Sequence, residues 1–162
     1  MAHGNHQATP TPLCDLICTH GAMVVAPCDS DVLAHLNIDL TSHARPQKAA
    51  RELVRAVSVG IASDERVDDI VLVTDELVGN ARQHSAIGGP IAMTVDRYAW
   101  GLVVKVTDSS RAMAPELRRP DGEREHGRGL YIVNALATAW NVRPGGHGKT
   151  VQAAFANMSA GG

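Results

Sequence analysis

Glu76-Leu77-Val78-Gly79-Asn80-Ala81-Arg82-Gln83-His84 is the stretch on which the fold turns. Glu76 and Asn80 are four residues apart, so on a helix they project from one face, and His84 continues that face one turn on. Ile70, Leu77 and Ala81 fall on the opposite stripe. Working backwards, Val67, Ile70, Val71, Thr74, Leu77, Val78 and Ala81 recur at three- and four-residue steps. This periodicity predicts a helix that starts after Ser63, holds Asp64 and Glu65 in its favourable first turn, and ends near Ser85. A carboxylate, an amide and an imidazole on one helix face suit a metal-bound polyphosphate. Mg²⁺ takes hard oxygen ligands, keeps several waters and needs few protein donors. The Asn80 carbonyl is such a donor, and Glu76 is placed to orient or deprotonate a nucleophile. Taken alone, the same pattern also describes a solvated polar helix face.

Outward from this helix, the chain punctuates itself clearly. Upstream, Leu33 to Leu40 reads LAHLNIDL, the alternation of a half-buried strand. Pro46 then suits the first turn of a helix through Ala50, Leu53, Val54 and Val57 that stops near Gly60. Downstream, Gly88-Gly89-Pro90 is a turn, followed by two strands, Ile91 to Asp96 and Leu102 to Asp108, joined by a hairpin. Some 18 residues without periodicity separate Asp108 from Gly127, the length of a functional lid. A third helix follows Gly129, and Ala139 to Arg143 with Lys149 to Phe155 make a last hairpin. This order predicts an α+β, two-layer α/β sandwich with its helices on one face of a mostly antiparallel sheet. Residues 1–30 read as a flexible N-terminal extension with room for one added strand, 31–157 as the domain, and 158–162 as a disordered tail.

Composition narrows the function. Of 162 residues, 44% are apolar but only 3% aromatic, so the core must be built from Val, Leu, Ile and Ala. A formal charge of −2 gives no global field to recruit nucleic acid or an anionic membrane, so phosphate must be bound locally. No apolar run approaches the ~18 residues of a membrane span, and Met1 to Pro12 lacks the order of a secretion signal; the expectation is a cytoplasmic protein. Cys14, Cys18 and Cys28 cannot all pair with one another. With His20 they could form a zinc site, but the spacing is loose, and free thiols are the plainer reading.

Two further segments carry chemistry. Asp108 ends a strand, where a carboxylate can accept a hydrogen bond from an exocyclic amine such as that of adenine. His126-Gly127-Arg128-Gly129 opens the third helix, so backbone N–H groups and the helix dipole can meet a phosphate, with Arg128 adding charge. Gly148-Lys149-Thr150 has the wrong preceding spacing for a Walker phosphate loop.

In order, E-L-V-G-N-A-R-Q-H, Val104-Lys105-Val106-Thr107-Asp108, H-G-R-G-L-Y-I-V and G-K-T-V resemble the four motifs of the Bergerat-fold ATPases, the superfamily of gyrase and histidine kinases. More closely, the chain resembles the bacterial anti-sigma-factor serine/threonine kinases of the short stand-alone actinobacterial type, from about Leu33 to Phe155. The resemblance implies ATP and Mg²⁺ as cofactors, with Glu76 as general base, Asn80 as Mg²⁺ ligand and His84 near the phosphates. It further implies Asp108 as the adenine-reading carboxylate and Gly127, Arg128, Gly129 and Leu130 as the lid and helix start over the phosphates. Thr150 is implied as a hydroxyl supporting Asp108 and the adenine. A sigma factor and an antagonist protein are the implied partners, and a homodimer the implied assembly. One departure stands out: the family's Asp-x-Gly is Asp108-Ser109-Ser110 here, which puts a side chain where backbone passes the nucleotide and is expected to weaken ATP binding. No phosphoacceptor-histidine helix precedes the domain, which argues against a histidine kinase. The runner-up reading is a nucleotide-gated protein-binding module with little catalysis; a metal- or redox-sensing adaptor built on the cysteines ranks third.

Overall fold

Two short strands, β1 (Leu16–Thr19) and β2 (Ala22–Val25), pair antiparallel in the computed structural model, where the sequence reading allowed for one. The structure describes residues 16–19, 22–25, 32–110 and 128–156, the backbone alone for 16–19, 22–25 and 128. The expected lid with Gly127, the cysteines Cys14 and Cys28, and the tail from 157 lie outside the described residues.

The remaining elements follow in the predicted order. They are β3 (Val32–Asp39), α1 (Pro46–Ser58), α2 (Asp64–His84), β4 (Ile91–Tyr98), β5 (Gly101–Asp108), α3 (Arg128–Leu136), β6 (Ala139–Gly145) and β7 (Gly148–Ala156). Strands β3 to β7 form one five-stranded sheet in the order β3-β4-β5-β7-β6, with every neighbouring pair antiparallel. In β3 the LAHLNIDL alternation is realised: Leu36 and Ile38 pack inward, while Leu33, His35, Asn37 and Asp39 are exposed. Gly101 begins β5 at φ 156°, where a Cβ would collide with the Phe155 carbonyl, so β5 and β7 approach closely only because that residue is glycine.

The helices begin and end for local reasons. Pro46 opens α1 within its first turn, and Gly60, at φ 74°, turns the chain toward α2. Ser63 caps α2 by accepting a hydrogen bond from the Arg66 N–H at 3.3 Å, with Asp64 and Glu65 in the first turn. The larger of two buried apolar clusters lies between the layers, from Ala50 and Val54 of α1 and Ile70, Val73 and Leu77 of α2 to Met93, Val95, Val104 and Ala153 of the sheet. Its one Phe, Phe155, is fully buried. All three helices therefore cover one face of the sheet, as the periodicity implied.

Arg66 closes the structure at the far end of α2. Its guanidinium donates to the Leu136 carbonyl at 2.9 Å and to Thr138 Oγ1 at 3.2 Å, pairs with Asp69, and lies 5.4 Å from the centre of the Phe155 ring. Positive charge on the terminal carbonyls of α3 is favourable, and the stacked ring adds a cation–π contribution. This contact fixes where α3 ends relative to α2, and hence where α3 begins.

Candidate functional site

Helix α2 presents its polar face as predicted. Val73, Thr74, Leu77, Val78 and Ala81 are buried, whereas Glu76 and Asn80 are partly exposed one turn apart. Among the described residues neither side chain makes a hydrogen bond or an ion pair. The start of α3 packs directly on them: a Cβ at Gly129 would overlap the Glu76 carboxylate and come within 3.5 Å of Asn80 Nδ2. A larger residue at 129 would push the Glu76 carboxylate out of the place it holds against α3. Partial burial, with the neighbouring Asp75 adding a smaller push, holds the Glu76 carboxyl above its ordinary range, so it is a better proton acceptor than a free glutamate. Asp75 itself is paired with Arg51 of α1 at 2.9 Å. His84 is exposed in the last turn, and Leu130 is buried behind Gly129.

The strand ends hold the second half of the site. Asp108 is 3% exposed and Lys149 8%, and Lys149 Nζ lies 3.2 Å from both Asp108 oxygens. Asp108 Oδ1 also accepts the Ser110 N–H at 2.7 Å. Ser109 Oγ and Ser85 Oγ are 2.7 Å apart, which ties the end of α2 to the residue after Asp108. Gly148 packs on the Asp108 backbone, where no side chain would fit.

The β5–β7 register decides which residue meets Asp108. Asp108 is opposite Lys149, and Thr107 opposite Thr150. Successive strand residues point to opposite faces, so Thr150 turns to the sheet's outer face and meets Thr107, with the hydroxyls 2.8 Å apart. The residue beside the Asp108 carboxylate is thus Lys149, not Thr150 as expected. A signal for this was present: Val151, Ala153 and Phe155 alternate as inward residues, and Lys149 continues their series. Ser110 is buried at 6% in the position expected to be glycine.

A cavity of about 240 Å³ adjoins the strand ends, bounded by Asp108, Ser109 and the Gly145–Thr150 segment. Its other walls, Pro90, Ala92 and Thr107, come from the sheet side, and none comes from α2 or α3, so it is distinct from the Glu76–Asn80 face. Among the described residues no three His, Cys, Asp or Glu side chains gather as a metal site, and no helix is long and apolar enough to cross a membrane. The Asn80 side-chain oxygen, without a described partner, nevertheless fits Mg²⁺, a hard cation bound by few protein ligands when it also holds phosphates. The Gly127 position lies outside the described residues, and Arg128 is described as the first residue of α3.

A helix face bearing Glu76 and Asn80, a glycine-started helix laid on it and a carboxylate at a strand end define a nucleotide-binding α+β domain. The profile of the histidine kinase-like ATPase domain matches residues 40–155, and the chain belongs to that family. No curated relative matches the sequence. Among solved structures, the chain is similar to the RsbU and RsbW domains of Rv1364c from Mycobacterium tuberculosis, with a TM-score of 0.57 and 21% identity. The similarity covers 76% of this chain and 32% of that one, so this chain spans about a third of the length of that protein. At that identity the likeness speaks for the fold.

Proposed function

We propose that this chain is an ATP-dependent serine/threonine protein kinase that phosphorylates an antagonist protein and binds a sigma factor, working in the cytoplasm as a homodimer without contact to nucleic acid or membrane. The family assignment supports ATP as the phosphate donor, and the likeness to a protein with an RsbW domain supports the partner-switching direction. The observation that carries the catalytic part is Glu76: partly buried, without a described partner, with a raised carboxyl pKa, and held against the first turn of α3.

In this reading the substrate hydroxyl oxygen attacks the γ-phosphorus, the bond to the β-phosphate oxygen breaks, and ADP leaves with that electron pair. The hydroxyl proton passes to Glu76, whose raised pKa suits it to accept. Asn80 Oδ1 would hold Mg²⁺, whose chemistry there is to neutralise charge on the phosphates. The start of α3 lies against the same helix face, and the positive end of a helix dipole favours an anion there.

The test is transfer of labelled γ-phosphate from ATP to serine or threonine on proteins that co-purify with the chain, located by mass spectrometry. Transfer that is lost in Glu76→Gln supports the kinase. Nucleotide binding without transfer to any partner favours the nucleotide-gated binding module, a reading that the tightly paired Asp108 and the buried Ser110 keep in play.

A further inference from the structure

Lys149 is a buried ammonium at the residue that the family reading assigns to adenine. A lysine with 8% of its surface exposed has lost most of its water, and its three N–H donors need acceptors. Among the described residues its one hydrogen-bond partner is Asp108. Contacts to Oδ1 and Oδ2 use at most two donors, so one N–H remains. Asp108 is left in a matching condition: Oδ1 accepts from Ser110 and Lys149, whereas Oδ2 has only the Lys149 ion pair and keeps lone-pair capacity. The two residues therefore present an acceptor and a donor side by side, 3.2 Å apart. A carboxylate alone reads an amine; this pair reads an edge on which a donor and an acceptor are adjacent.

We propose that Lys149 is a base-recognition residue, donating to the ring nitrogen N1 of an adenine nucleotide while Asp108 accepts from the neighbouring exocyclic amine. This rests on the ATP-binding reading above. The β-sheet holds the dyad rigid, since register places Lys149 opposite Asp108, and Gly148 lets the two strands close on each other at that point. Ser110 locks the carboxylate from the other side, and the Ser85–Ser109 hydrogen bond keeps the pair beside the end of α2. Recognition of the base thus falls to two side chains of opposite charge, neither of which must be desolvated on binding because both already are.

The test compares ATP with its 1-deaza analogue, in which N1 is replaced by C–H, by titration calorimetry on the full chain with Mg²⁺. A hydrogen bond to a charged donor predicts that the analogue binds about tenfold more weakly, and in any case by more than about threefold. In Lys149→Met the two nucleotides are expected to bind equally, at the level of the analogue on the unmodified chain. Analogue affinity within about threefold of ATP on the unmodified chain overturns the proposal, and this arm stands even if Lys149→Met does not fold. Tighter ATP binding by Lys149→Met also overturns it, showing that the lysine obstructs the base. Binding of neither nucleotide by the unmodified chain brings down the ATP reading itself, and the Lys149 proposal with it.

Discussion

Glu76 and Asp108 are carboxylates of one candidate site, yet the fold treats them in opposite ways. Glu76 lies on a helix face, partly exposed, with no described partner and a second carboxylate, Asp75, next to it in sequence. Asp108 lies at a strand end, almost fully buried, against an ammonium and a backbone N–H. Burial without a counter-charge raises a carboxyl pKa, which prepares a group to take a proton. Burial against an ammonium and a backbone N–H holds the carboxylate in place, which prepares it to be a fixed hydrogen-bond acceptor. The difference assigns chemistry to the helix and recognition to the sheet.

The strongest way to break the comparison is to remove the partner at the strand end. Asp108→Ala leaves the Lys149 ammonium buried without its counter-charge, and breaking such a pair typically costs about 3–5 kcal/mol. Urea denaturation of the variant is expected to show a loss in that range. A loss below about 1 kcal/mol would mean that the pair is solvated and not the rigid acceptor described.

Next in size is the helix face. Glu76→Gln keeps the shape but not the basic oxygen, so phosphoryl transfer should fall by ~10²-fold or more while ATP affinity changes by less than about threefold. Single-turnover transfer beside a binding titration separates the two quantities. Unchanged transfer would reduce Glu76 to a structural residue. Asn80→Ala removes an oxygen that nothing else on that face replaces, and Mg·ATP affinity should drop by about tenfold or more. Binding without Mg²⁺ should be much less affected, and an equal loss under both conditions would dissociate Asn80 from the metal.

The smallest effect concerns pH. Because the folded-state pKa of Glu76 is raised, the folded protein binds that proton more tightly than the unfolded chain. The charged carboxylate therefore opposes folding above its folded pKa, and the penalty disappears as pH falls below the ordinary value of 4.5. Glu76→Gln should accordingly melt slightly higher than the unmodified chain at pH 7 and at the same temperature at pH 4. Transfer activity, which needs the ionised form, should decline as pH falls through that same raised pKa. A Glu76→Gln variant less stable at pH 7 would show that the carboxylate has a favourable partner.

How much of this could be read beforehand followed from the range of the interactions. Ser63, the three- and four-residue steps of α2 and the Glu76–Asn80 pair are local, so helix, cap and polar face were all legible. The alternation of LAHLNIDL and the Gly88-Gly89-Pro90 turn were legible for the same reason. Thr150 was misplaced because its partner depends on which residue of β5 it faces, a register set across 43 positions of chain. Arg66 gave no sign of its role, since Leu136, Thr138 and Phe155 reach it only after α3 and β7 have packed. The β1–β2 pair was half-seen: one added strand was allowed for in residues 1–30, but four-residue strands are too short to carry a clear period of their own.

Sequence alone determined the class of this protein, because a helical face, a strand-end carboxylate and a glycine-started helix in fixed order are properties of neighbouring residues. The tertiary structure alone decided the electrostatic states within the site. Whether a carboxylate is a base or a fixed acceptor depends on what burial brings beside it, Gly129 and Asp75 for Glu76, Lys149 and Ser110 for Asp108. Except for Asp75 and Ser110, these neighbours are distant along the chain, and only packing and strand register bring them together.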